Sequence, residues 1–145
     1  MVIQDALRSM IIRSTDPAAV ANAIKYYFEP DFSVKDWVND LNNIALTDGE
    51  GNFCLFEYDE EGRYYGHYFY KDRGKKARDL IRQTIDHLFE NYPVKAIQGL
   101  TPEEHKAARW MARQVGMKSF GIIPTINGRC ELFILTINEW RQNNG

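Results

Sequence analysis

Six bases and two acids crowd into the twelve residues from Lys71 to Arg82. The run Tyr70-Lys71-Asp72-Arg73-Gly74-Lys75-Lys76-Ala77-Arg78 joins a strand-like segment to the strongest helical pattern in the chain. Unpaired amides and about half a positive charge gather at a helix N-terminus, and both favour a phosphate or another anion. Arg73, Lys75, Lys76 and Arg78 add side-chain charge at that same end, against the helix dipole. A bound anion resolves the conflict; a solvated basic turn is the plainer alternative. Upstream the sign reverses. From Glu29 to Glu61 there are ten acids and one base, Lys35, a surface suited to a cationic amine and equally to simple solvation.

His67 and Glu57 are the candidates for moving a proton. His67 follows Gly66 in a strand and can orient an amine or relay a proton. Tyr65 and Phe69 share its face, however, so alternation favours a packed, hydrogen-bonded ring. Glu57, one strand earlier, is the best carboxylate base, against the plainer reading of a solvent-facing glutamate. His67, His87 and His105 show no ligand spacing, so no metal site is expected. Tyr64, Tyr65, Tyr68 and Tyr70 beside the basic loop offer a stacking surface for single-stranded nucleic acid. Alternation sets Tyr65 opposite the other three, and aromatic strand packing accounts for them without that partner. No Ser-His-Asp arrangement or P-loop is present.

The 145 residues are 44% hydrophobic, with 18 Lys+Arg against 20 Asp+Glu. That predicts one domain, residues 1–145, with a core of its own. Apolar runs such as Leu132 to Leu135 are too short to cross a membrane. Asp5 precedes any apolar stretch, so no signal-peptide core is expected. Cys54 and Cys130 stand alone in apolar strands and read as buried thiols of a reduced, cytoplasmic protein.

The positioning elements follow from periodicity. Ser9 to Arg13 reads as a first strand. Asp16-Pro17 starts a helix that Pro30 stops, and Ser33 caps another carrying Val34, Trp37, Val38 and Leu41. Ile44 to Thr47, Phe53 to Tyr58 and Tyr64 to Tyr70 form an antiparallel meander, because their connections are too short for crossovers. Ala77, Leu80, Ile81, Thr84, Ile85, Leu88, Phe89 and Tyr92 make one helical stripe. Val94 to Leu100 is then a strand parallel to the third of the meander. Thr101-Pro102-Glu103-Glu104 reads as the start of a helix ending at Gly116. Lys118 to Thr125 and Arg129 to Ile137 flank an Asn127-Gly128 turn.

This order, with Met10-Ile11-Ile12-Arg13, Gly66-His67 through Arg78, and Gly99-Leu100-Thr101-Pro102 through Gly116-Met117, resembles the GNAT superfamily of acyl-CoA N-acyltransferases. The resemblance covers most of the chain. It implies an α/β (α+β) fold: a mixed, mostly antiparallel sheet of six to seven strands with about four helices. It also implies an acetyl-CoA or CoA site built from Tyr70, Lys71, Arg73, Gly74, Lys75, Lys76, Ala77, Arg78 and His105, with a small amine as acceptor. More narrowly, the chain looks like a small family from short-tailed phages, some described as head-assembly proteins. That narrower likeness is one of the whole chain; the segment GLTPEEHKAARWMARQVGM is especially similar to GNAT-like proteins encoded by phages.

The departures are specific. The family's loop reads Gln/Arg-x-x-Gly-x-Gly/Ala, its glycines letting backbone amides approach a pyrophosphate. Aligned on Leu80, Asp72, Lys75 and Ala77 fall at the defined positions, and only Ala77 matches; Gly74 lies one residue early. His105 stands where the family often has a cofactor-contacting asparagine. Ala112 stands where a tyrosine often protonates the departing thiolate. The expected function is therefore a divergent, weakly active or inactive GNAT-fold protein of phage or prophage origin. Its contacts would be with virion proteins or copies of itself during head assembly, in the host cytoplasm or the virion. An active N-acyltransferase is the alternative.

Overall fold

The computed structural model describes residues 10–144, and its elements follow the apolar periodicities closely. The strands are β1 (Ile12–Arg13), β2 (Ile44–Thr47), β3 (Phe53–Glu60), β4 (Arg63–Phe69), β5 (Ala96–Pro102), β6 (Lys118–Thr125) and β7 (Gly128–Thr136). The helices are α1 (Pro17–Lys25), α2 (Val34–Asn39), α3 (Gly74–Asn91), α4 (Lys106–Gln114) and α5 (Ile137–Asn144). Ser9 and Asp5 lie outside the described residues.

All seven strands form one sheet in the order β1-β2-β3-β4-β5-β7-β6. Every pairing is antiparallel except β4 with β5. That exception follows from the crossover through α3, which is long enough to return the chain to the same edge. One face carries α3: Leu80, Ile81, Ile85, Leu88 and Phe89 pack on Cys54, Phe56, Tyr64, Tyr70, Ile97, Phe133 and Leu135. Each fully buried Leu, Ile or Phe there contributes roughly 1.5–3 kcal/mol. The opposite face carries α1 and α2, with Val20, Ile24 and Val38 on Ala45, Phe53 and Leu55. Tyr64, Tyr68 and Tyr70 all join the α3 face, as alternation along the strand requires.

The helix caps expected at residues 16 and 33 are present. Ala18 donates its amide to Asp16 Oδ1 at 3.0 Å, and Asp36 donates to Ser33 Oγ at 3.2 Å.

Four details correct the sequence reading. Thr101-Pro102 does not open a helix: β5 continues through it, pairing Thr101 with Glu131 and Pro102 with Cys130. Glu103 then donates to the Arg129 carbonyl, and α4 starts at Lys106 after His105. The ladder on β7 outcompetes local capping, and proline is tolerated because it ends the strand. The hairpin turn is shifted by one residue. Thr125 pairs with Gly128, leaving Ile126-Asn127 as the turn, with Asn127 donating its amide to Thr125 Oγ1.

The chain also ends in α5, where a strand reaching Ile137 was expected. Thr136 and Glu139 form a reciprocal cap: Glu139 N donates to Thr136 Oγ1 at 3.2 Å, and Thr136 N donates to Glu139 Oε1 at 3.3 Å. Trp140 locks the helix in place, stacked on Phe89 at 5.1 Å and donating Nε1–H to Asp86 at 2.8 Å. His67, too, departs from the expected packing: its side chain is half-exposed.

Candidate functional site

β4 and β5 pair only at Arg63–Ala96, Tyr64–Ile97 and Tyr65–Gln98. Beyond these three pairs the strands fork, with Gly66 on one arm and Gly99 on the other. The fork opens a cavity of about 320 Å³. Ile81, Met111, Ala112 and Phe133 give it an apolar floor, while His67 and His105 stand among its polar lining residues. A side chain at Gly66 would press on its neighbours. A Cβ would sit 3.3 Å from both Ile97 Cγ2 and the Tyr68 hydroxyl, closer than most real side chains tolerate.

The basic loop follows directly from the β4 arm. Its organiser is Asn52, in the connection between β2 and β3. Asn52 is 1% exposed. Its Oδ1 accepts the amides of Lys71 at 2.8 Å and Asp72 at 3.3 Å. Its Nδ2 donates to Asp72 Oδ2 at 2.7 Å and Asp48 Oδ2 at 2.8 Å. The Asn52 amide, with Lys76 3.4 Å from Asp72 Oδ1, holds the Asp72 carboxyl below its ordinary range. Two loop amides are thereby occupied within the protein.

The remaining donors are those of the helix start. Gly74 takes φ +62° as the chain turns into α3, a conformation that favours glycine. Arg73 at the cap offers the first turn no side-chain hydrogen bond. The Arg73 guanidinium instead folds back onto the Tyr70 carbonyl, which the Tyr27 hydroxyl also reaches. Lys75 is exposed and makes no ion pair among the described residues.

The sequence-derived loop residues therefore divide. Gly74, Lys75 and Lys76 face outward at the helix start, and His105 lines the cavity. Ala77 is buried in the core, and Arg78 lies beside Asp79 at 3.6 Å. Tyr70 points inward: its hydroxyl accepts from Cys54 Sγ at 3.3 Å and lies 3.1 Å from Thr84 Oγ1. Burial pushes both the Tyr70 phenol and the Cys54 thiol well above their ordinary values. Lys71 reaches the β2–β3 turn, its Nζ 2.8 Å from where a Gly51 Cβ would lie. Neither the Tyr70 nor the Lys71 side chain is brought to the cavity.

His67 is not a packed histidine. Its ring is 49% exposed and its Nε2 lies 3.7 Å from Glu57 Oε1. The fork explains this: β5 has already diverged, so no strand covers that side of the ring. Desolvation by the cleft walls lowers the imidazole pKa, and Glu57 pulls it partly back. The downward shift favours the neutral ring, the form able to accept a proton. Beside the cleft, Phe28 packs against Phe69 at 6.0 Å and is itself 51% exposed. Among the described residues no group of three His, Cys, Asp or Glu is placed to hold a metal. No helix among them is long and apolar enough to cross a membrane.

Across the cleft, α4 is fixed by a buried carboxylate. Glu131 of β7 is 2% exposed. It accepts from Arg109 Nε at 2.7 Å, from Arg113 and from the Ser119 hydroxyl. Burial raises its pKa, but these three donors outweigh burial and hold it at about 2.

No family model and no curated protein matches the chain by sequence. Solved structures match it in fold. Spermidine/spermine N-acetyltransferase SpeG from Vibrio cholerae superposes with a TM-score of 0.73 at 13% identity, covering 95% of this chain and 100% of that one. The chain has the GNAT fold. Aminoglycoside acetyltransferase AAC(6')-Ib in complex with coenzyme A and kanamycin gives a TM-score of 0.70 at 14% identity, covering 94% and 99%. At these identities the likeness establishes the GNAT architecture, a mixed, mostly antiparallel sheet with flanking helices.

Proposed function

We propose that the chain binds an acyl-CoA in the forked cleft and transfers the acyl group, slowly, to a cationic amine. The observation that carries this reading is the open fork between β4 and β5, beginning at Gly66 and Gly99, whose β4 arm continues along the chain into the uncapped start of α3. A noncatalytic scaffold would gain by filling that space with side chains. Here Tyr68 and Tyr70 leave it open.

The residues present fit such a ligand. The apolar walls from Ile81, Met111 and Phe133 suit an extended arm, and the amides after Arg73 with Lys75 and Lys76 suit its phosphates. Lysine charge takes the place of the close backbone approach that a second glycine would permit. Acetyl-CoA would supply the activated thioester. His67, neutral and half-exposed at the fork, takes the proton from the attacking amine, and Glu57 steadies the imidazolium formed. The acidic stretch Glu29 to Glu61 draws a cationic acceptor towards this face, and Phe28 and Phe69 give its alkyl portion an apolar wall. Such an acceptor is consistent with the named ligand and substrate of the similar structures, kanamycin and spermidine.

The slowness follows from Ala112, which offers no hydroxyl to the departing thiolate. A second reading is favoured by one observation. Tyr26, Phe28, Phe32 and Leu41, in the segments that follow α1 and α2, are each exposed, at 64%, 51%, 43% and 86%. Exposed apolar side chains of this size suit protein contacts. They support the assembly role, in a phage head, that the narrower resemblance implies.

Calorimetric titration with acetyl-CoA tests the first reading. Binding in the micromolar range supports it, and no binding at millimolar ligand overturns it in favour of the second.

A further inference from the structure

The two faces of the sheet are covered unequally. α1 and α2 pack on Ala45, Phe53, Leu55 and Phe69, which belong to β2, β3 and β4. No residue of β5, β6 or β7 joins that cluster, so on this side their half of the sheet carries no packed helix. Strand register draws one straight row across this face. Glu57 pairs with Tyr65, Tyr65 with Gln98, Gln98 with Ile134, and Ile134 with Lys118. The residue just before each of them, Phe56, Tyr64, Ile97, Phe133 or Met117, belongs to the core under α3, so alternation turns all five the other way. Leu100, 41% exposed, lies two residues along from Gln98 and opposite Leu132, on the same face. Lys118 Nζ lies 5.9 Å over the ring of Phe120, which is 55% exposed at the end of the row.

The row is acidic at one end and basic at the other. Glu57 is 48% exposed and turns one oxygen, Oε1, towards His67 at 3.7 Å. Lys118 is exposed and makes no ion pair among the described residues. A half-turn about Gln98 exchanges the two ends, so the row is complementary to a second copy of itself. Lys118 then meets Glu57, Tyr65 meets Ile134, and Gln98 meets Gln98. We infer that a second copy of the chain docks on this bare face, sheet on sheet about 10 Å apart. Leu100, Leu132 and Phe120 are taken out of water between two Glu57–Lys118 pairs. An unrelated partner would not require opposite charges placed equally far from a central residue. The edge of β6 is the other route for joining two sheets, and it is blunted. Gly121 takes φ +91° at the irregularity between Ser119 and Ile122, and Pro124 has no amide hydrogen to offer. The row spans four strand spacings, roughly 19 Å, which makes the contact a small one with a dissociation constant in the micromolar range. Such a dimer forms with or without acyl-CoA in the cleft.

Sedimentation equilibrium of the native protein, of Lys118→Glu and of Glu57→Lys tests the docking. Both substituted side chains are exposed, and circular dichroism checks that each variant is folded. The native chain should be largely dimeric at about 100 μM. Each variant alone sets like charges against each other twice, and its dimer should weaken at least tenfold. An equimolar mixture of the two variants restores opposite charges at both pairs, so a heterodimer of near-native affinity is expected. A native protein that stays monomeric at about 100 μM overturns the inference and leaves the face to a different partner. A dimer unaffected by either substitution overturns it too, because the contact then lies elsewhere. Weakened variants that fail to recover on mixing contradict the two-fold pairing of Lys118 with Glu57.

Discussion

Asn52 and Asp72, twenty residues apart, are joined by a hydrogen bond of 2.7 Å that ties the β2–β3 turn to the basic loop. With Asp48 and the Lys71 amide, this bond fixes where the loop leaves β4 and hence where α3 begins. Replacing Asn52 with alanine removes the shared partner of all these groups. Asn52→Ala should lose about 2 kcal/mol in urea denaturation. Acetyl-CoA affinity should fall with it, because the first amides of α3 are no longer held. A variant as stable as the native protein would show that the loop does not depend on this residue.

Glu57 and His67 make a pH-dependent prediction. The lowered pKa of His67 keeps its basic form populated down to below the ordinary histidine range, and activity is lost as pH falls through the shifted value. The acidic limb of kcat/KM for acetyl transfer to spermidine should lie below that range. Glu57→Gln should move it lower still, since the carboxylate is the group pulling the pKa up. His67→Gln should reduce the rate about 100-fold and abolish the limb. A limb unchanged by both substitutions would remove His67 from the mechanism.

Glu131 predicts an acid transition of a different origin. Its folded pKa, about 2, lies below the ordinary carboxylate value. Its contribution is therefore complete above the unfolded pKa and lost as pH falls towards 2. Glu131→Gln leaves Arg109 and Arg113 facing a neutral group, and both are partly exposed. The variant should be about 2 kcal/mol less stable at pH 7. Its urea midpoint should also change less than the native one between pH 5 and pH 3. An identical acid response in the two proteins would contradict the buried-carboxylate account.

What was legible in the sequence was whatever depended on local period and composition. The stripe from Ala77 to Phe89 could be read because α3 is long enough to repeat its pattern several times. The meander could be read because its turns are too short for any other pairing. The misreadings arose where a long-range ladder overrode a local signal. Thr101-Pro102 is a good helix start in isolation, but Glu131 and Cys130 pair with it from thirty and twenty-eight residues away. Ile126-Asn127 became the turn because the β6–β7 register set it there.

His67 was misplaced because alternation reveals which face a residue takes and nothing about a neighbouring strand departing. Asn52 carried no signal at all, since its partners Lys71 and Asp72 become neighbours only in the folded sheet. The capping pair Thr136 and Glu139 stands in the sequence as T-x-x-E, but the strong strand pattern that precedes it masks the signal.

Isothermal titration of the purified protein with acetyl-CoA, beside a Lys75→Glu, Lys76→Glu variant, tests the central claim most directly. The account predicts micromolar binding by the native protein and at least tenfold weaker binding by the variant, with both proteins equally folded. Absence of binding at millimolar acetyl-CoA, or equal binding by the two proteins, would contradict it.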